Sequence, residues 1–149
     1  MTAHDIDLIL APVDGSESSH EAVEYAIAIA SEYDARLHAL YVLDEGTVRS
    51  LESGALDESD VADDSQAFTS SVASRAETAG VDHSNSIAYG FSTRKKIVHP
   101  GSVVLDTAEE LEADFIVIPR EPVTGDPGQM LEKAAEYVLL YASQPVLSV

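Results

Sequence analysis

The sequence contains no cysteine, and only eight of its 149 residues are Lys or Arg. Without cysteine there is no disulfide framework, no thiol nucleophile and no thiolate metal ligand. Three lysines, Lys95, Lys96 and Lys133, stand in a chain with 27 acidic residues and a net charge of −19. Duplex nucleic acid needs a basic face, so it is not a partner to expect. No run approaches the roughly 18 apolar residues of a membrane span. The opening Met1-Thr2-Ala3-His4-Asp5 has neither the basic start nor the apolar run of a secretion signal. The expectation is therefore a cytoplasmic protein with no membrane partner. Internal repeats and a linker to a second domain are also missing.

A hydrophobic fraction of 45% over this length suits one domain, residues 1–149, with a sizeable core. The acids are dispersed, though dense between Asp44 and Asp64. Two readings stand open. One is a salt-adapted cytoplasm, where a Debye length of about 3 Å at molar ionic strength screens self-repulsion. The other is an ordinary acidic protein.

Along the chain, short apolar runs alternate with segments of helical period. Asp7–Val13 reads as a buried parallel strand, turned by Asp14-Gly15-Ser16. Ser18 and Glu21 have the spacing of a capping box. Ala22, Val23, Ala26, Ile27, Ile29 and Ala30 form the inner face of a helix ending near Tyr33-Asp34. Arg36–Leu43 is the second strand. The acidic, Ser/Gly-rich stretch 44–64 reads as a mobile excursion with one helical turn. A helix from about Asp60 to Ala79 follows, with Val61, Phe68, Val72 and Ala76 inward and Gly80 closing it. A β region from about Ser84 to Val98 is long for one strand and allows an extra hairpin or bulge. Pro100-Gly101-Ser102 opens a helix with Val103, Val104, Thr107, Ala108 and Leu111 inward. Phe115–Ile118 is the next strand. Met130, Leu131, Ala134, Ala135, Val138, Leu139 and Ala142 mark the last helix, before a strand at Pro145–Val149. This alternation predicts an α/β fold: a single-domain, open, five-stranded, mainly parallel sheet with helices on both faces.

Asp14 ends the first strand, where ligands of parallel sheets bind. It either accepts hydrogen bonds from a ligand or satisfies N–H groups of its own turn. The five histidines show no metal-ligand spacing, and no metal is expected. His99 stands at a strand-to-helix turn, and Arg94-Lys95-Lys96 is the one basic cluster. Asp5 and Asp7 lie at the wrong end of the strand for a site. No nucleophile elbow is present, and Asp14-Gly15-Ser16 lacks the second aspartate of a dehalogenase-type phosphatase, so catalytic residues are not expected.

The stretch Leu10-Ala11-Pro12-Val13-Asp14-Gly15-Ser16-Glu17-Ser18-Ser19 resembles the opening of the universal stress protein (UspA) family. Ala108–Ile118 and Ala135–Val149, with its closing Pro145-Val146-Leu147, resemble later parts of the same family. The resemblance spans the chain except the excursion at 44–64 and the enlargement near 84–96. It implies an adenine-nucleotide α-hydrolase-like sheet and a homodimer; Pro145–Val149, as an apolar edge strand, would form the contact. It also implies adenine and ribose contacts at Pro12, Val13, Asp14 and Val42. Nucleotide-binding members carry Gly-x-x-Gly, nine residues, then Gly-Ser. Here an ungapped alignment puts Pro122 and Gly125 at the two glycines, and Glu132 and Lys133 at Gly-Ser; only Gly125 matches. Gly125-x-x-Gly128 imitates the first half three residues late. Pro119, Pro122 and Pro127 offer no N–H donor, and Glu121, Asp126 and Glu132 repel phosphate. The expectation is a regulatory or binding module with nucleotide binding weakened or lost, and Lys133 a solvated helix residue. The alternatives are an ATP- or AMP-binding protein with a diverged phosphate loop, in which Lys133 substitutes for the lost donors, and, behind it, an enzyme of the nucleotide α-hydrolase group.

Overall fold

The computed structural model describes residues 5–15, 17–43, 50–89, 100–119 and 130–149. Its elements alternate: β1 (Leu8–Val13), α1 (Glu17–Tyr33), β2 (Arg36–Leu43), α2 (Glu58–Ala79), β3 (His83–Tyr89), α3 (Pro100–Leu111), β4 (Phe115–Ile118), α4 (Met130–Tyr141) and β5 (Val146–Ser148). The five strands form one sheet in the order β3-β2-β1-β4-β5, and each neighbouring pair runs parallel. The order changes direction at β1, which places the crevice at the carboxyl ends of β1 and β4.

Strand alternation divides the core in two. Ile9, Ala11, Val13, Leu37, Ala39 and Val117 face α1 and α2, meeting Ala22, Val23, Ala26, Phe68, Val72 and Ala76. Leu8, Leu10, Leu40, Val42, Ile116 and Ile118 face α3 and α4, meeting Val104, Ala108, Ala134, Ala135 and Val138. Both faces of the sheet are thus covered, which is why its central strands read as continuous apolar runs.

Three helices close alike. Asp34, Gly80 and Glu112 take positive φ, and the next residues, Ala35, Val81 and Ala113, donate to the carbonyls of Ala30, Ala76 and Ala108. This is the six-to-one bond of a Schellman ending. Ala35, Val81 and Ala113 are buried and start the turn into the following strand. Between β1 and β4, Asp114 supplies a further clamp. Its Oδ2 accepts the N–H groups of Asp7 at 2.9 Å and Leu8 at 3.1 Å, while its own N–H donates to the Leu8 carbonyl.

Several sequence expectations need correcting. α1 begins at Glu17, so Ser18 lies inside its first turn and does not cap it. α2 begins at Glu58 rather than Asp60, taking in part of the stretch read as mobile. Glu58 and Asp60 sit in its first turn, where the helix dipole favours acids. A helical turn at 50–53 precedes it. Leu111 and Leu139, expected inward, are 37% and 54% exposed. β3 is a single strand paired with β2; the hairpin or bulge expected up to residue 98 lies outside the described residues beyond Tyr89, as do residues 44–49 of the excursion.

His38 is the buried histidine of the sheet. It faces the α3 side of β2, with Nδ1 2.7 Å from Ser84 Oγ and Nε2 2.8 Å from Ser86 Oγ on β3. A neutral ring donates one of these bonds and accepts the other. Burial pushes its pKa below the ordinary 6.5. The unfolded chain therefore takes up a proton that the folded chain resists. Stability is full above about pH 6.5 and falls as the pH drops below it, by at most about 1.4 kcal/mol per unit. Urea titrations from pH 7.5 to 5 in wild type and His38→Asn should show a steeper acid loss in wild type. Parallel losses would remove His38 as the cause.

Candidate functional site

At the carboxyl end of β1 the chain turns sharply at Gly15, whose φ is +85°. A Cβ there would lie 2.9 Å from the Tyr41 hydroxyl, so the turn needs glycine both for its dihedral and for the close approach of Tyr41. Asp14, just before it, is held by Ser19 in the first turn of α1. The Asp14 N–H donates to Ser19 Oγ at 2.9 Å, and Ser19 Oγ–H donates to Asp14 Oδ1 at 2.7 Å. Ser19 is fully buried. The carboxylate is therefore fixed before any ligand arrives. The turn-satisfying role expected of Asp14 is present, and it coexists with a place on the crevice wall.

Among the described residues the cleft beside Asp14 opens over the carboxyl ends of β1 and β2, on the α2 side of the β1–β4 switch point, and has two lobes sharing Asp14, Tyr41 and Asp64. The inner lobe, about 90 Å³, is completed by Val42, Leu43, Leu56 and Val61. The outer lobe, about 540 Å³, runs between the start of α1 and α2 past Gly15, His20, Ala67, Phe68 and Ser71. The aromatic side chains interlock. His20 tilts against Phe68 with centroids 4.5 Å apart, and Tyr41 meets Phe68 edge-on at 5.9 Å. From α2, Val61, Asp64, Phe68 and Ser71 line the site at intervals of three and four residues, one helical stripe.

Of the expected site residues, Asp14 and Val42 meet in the inner lobe. Pro12 and Val13 are buried within β1 and line neither lobe. Gly125 and the phosphate-loop stretch 120–129 lie outside the described residues. Tyr41, His20, Asp64 and Ser71 were not read as site residues from the sequence. For Asp64 and Ser71 the signal was the spacing from Val61 and Phe68, hidden by the acidic composition around it.

Chemically, the inner lobe sets the side chains of Val42, Leu43, Leu56 and Val61 beside two carboxylates, and its surface is more polar than apolar. Neither Lys nor Arg lines either lobe among the described residues. Ionised carboxylates only accept hydrogen bonds, so this wall suits hydroxyl and amino donors and opposes anions. The described residues contain no group of three or more potential metal-binding side chains. None of their helices is long and apolar enough to cross a membrane.

The model of the universal stress protein family matches residues 6–149. A universal stress protein of Methanocaldococcus jannaschii is 33% identical over 144 residues, covering 95% of this chain and 80% of that protein. A universal stress protein solved in complex with cAMP superposes with a TM-score of 0.68 at 22% identity, covering 97% of both chains. One from Archaeoglobus fulgidus, in complex with dAMP, superposes with a TM-score of 0.62 at 17% identity, covering 96% of both.

Proposed function

Because the chain belongs to the universal stress protein family, we propose that it acts as a regulatory binding module of that kind, without catalytic activity, in which ATP binding is weakened or lost. The observation that carries this reading is the lack of any Lys or Arg lining the cleft among the described residues, so that no cation there offsets a phosphate's charge. The sequence of the β4–α4 connection supports it, since Pro122, Glu121 and Asp126 replace donors with blocked or acidic positions. Losing several charge-assisted bonds of roughly 1.5–3 kcal/mol each weakens affinity by orders of magnitude. Of the residues expected at the adenosine end, Asp14 and Val42 line one pocket, together with Tyr41, which supports a weakened rather than a wholly lost site.

Calorimetry with ATP in molar potassium chloride tests the reading. The expected dissociation constant is about 1 mM or weaker. A micromolar constant abolished by Asp14→Ala would establish the second reading, an ATP- or AMP-binding member with a diverged loop. That reading is favoured by the adenine nucleotides held by two structural relatives.

The module is proposed to be a homodimer. β5 is an edge strand, and Leu139, Leu140 and Tyr141 stand exposed at the end of the helix leading to it. An apolar edge invites a second strand, and a two-fold pairing closes the assembly. Light scattering should give a dimer mass that deletion of Leu147–Val149 reduces; a monomer at tens of micromolar would end the proposal.

A further inference from the structure

We propose that Ser84 is a reactive nucleophile, activated by His38, that accepts an acyl group from an activated ester. The pair stands on the α3 side of the sheet, away from the cleft that α1 and α2 border. Parallel register sets it up. His38 on β2 is opposite Ser84 on β3, and Ser86 is the next residue of β3 on the same face. The ring therefore bridges two hydroxyls, with Nδ1 2.7 Å from Ser84 Oγ and Nε2 2.8 Å from Ser86 Oγ. This is the arrangement of a nucleophile, its base and a group that orients the base.

Exposure divides the roles. His38 is 7% exposed, Ser86 is half-buried, and Ser84 is exposed on the edge strand. Leu10 on β1 and Leu40 on β2 flank the ring on its own face. Burial lowers its pKa, so the ring is neutral at pH 7 and can take a proton. With the ring proton on Nε2, that N–H donates to Ser86 Oγ, and Nδ1 accepts from the Ser84 O–H. Ser84 Oγ then bonds to the ester's carbonyl carbon while its proton passes to Nδ1. The bond from that carbon to the leaving alcohol's oxygen breaks, and Nδ1 returns the proton to this oxygen. Ser84 is left as an ester and His38 as a neutral ring. The backbone supplies a donor for the developing oxyanion. Leu37 N–H donates to the Asp82 carbonyl, so the ladder turns the main chain of Ser84 toward β2 and that of Asn85 outward. No strand pairs with that outer edge among the described residues, which leaves the Asn85 N–H, one residue past the nucleophile, facing it.

The test is p-nitrophenyl acetate at pH 7 in molar potassium chloride, followed by peptide mapping in a mass spectrometer. Ser84 should gain an acetyl ester at least about a hundredfold faster than Ser70, an exposed serine of α2, and hydroxylamine should remove it. His38→Gln, checked for folding by its thermal melt, should slow this labelling about a hundredfold. Ser86→Ala should slow it several-fold, and Ser86→Thr, which keeps the hydroxyl, should restore it. Ser84→Cys gives a second readout in a chain without cysteine. Its thiol should react with iodoacetamide at pH 7 at least about tenfold faster than N-acetylcysteine does.

Labelling of Ser84 no faster than that of Ser70 would overturn the inference. So would a Ser84→Cys thiol no faster than N-acetylcysteine, or labelling of Ser84 unchanged in a folded His38→Gln protein.

Discussion

Raising potassium chloride from tens of millimolar to molar is expected to increase thermal stability by on the order of 3–5 kcal/mol, a rise in melting temperature of roughly 10 °C. The cause is the net charge of −19. Folding gathers the acids onto one surface, where eight Lys and Arg cannot balance 27 acids. Glu24 meets Arg75 at 2.9 Å at an exposed position, where an ion pair contributes little. The Debye length shrinks from about 10 Å at 0.1 M to about 3 Å at 1 M, which removes most repulsion between neighbouring acids. Differential scanning calorimetry across this range is the measurement. A melting temperature that stays flat would discard salt adaptation and leave an ordinary acidic protein.

The second large effect is expected from Gly101→Val. Gly101 is buried in the first turn of α3, against α4. A Cβ placed there would lie 2.5 Å from both Cβ and Cδ1 of Tyr137. Alanine gains about 1 kcal/mol of helix propensity over glycine, and valine less. Overpacking of 1–3 kcal/mol or more outweighs that gain. For valine the expected net loss is about 3 kcal/mol, roughly 6–12 °C in melting temperature. Tyr137→Ala removes the obstructing ring carbons and should restore part of the loss in the double variant. Equal stability of Gly101→Val and wild type would mean that the two helices do not approach so closely.

The sequence disclosed the frame of this fold through its central strands. Buried on both faces, Leu8–Val13, Arg36–Leu43 and Phe115–Ile118 are short, apolar and bounded by turns, and little else in a chain looks like that. Helix faces were readable where they lie over the sheet, as at Ala22, Ala26, Phe68 and Val72. They misled at Leu111 and Leu139, because periodicity gives the apolar side of a helix and not how much of that side tertiary packing covers. Asp14 was found by its place after a strand. Asp64 was not, because an acid in an acidic helix is the expected solvent-facing residue until tertiary packing turns its stripe toward another element. Ser84, Ser86 and His38 escaped for a similar reason: their partnership depends on parallel register between strands 46 and 48 residues apart.

The clamp at Asp114 also bears on how the chain is made. Its carboxylate closes on the N–H groups of residues 106 and 107 positions earlier. At a synthesis rate of about 5–20 residues per second, β1 therefore waits roughly 5–20 s for that partner. During this interval β2 can cover one side of β1, while the other side, which β4 later occupies, stays open. The central strand of the finished sheet is thus an edge strand throughout much of its own birth.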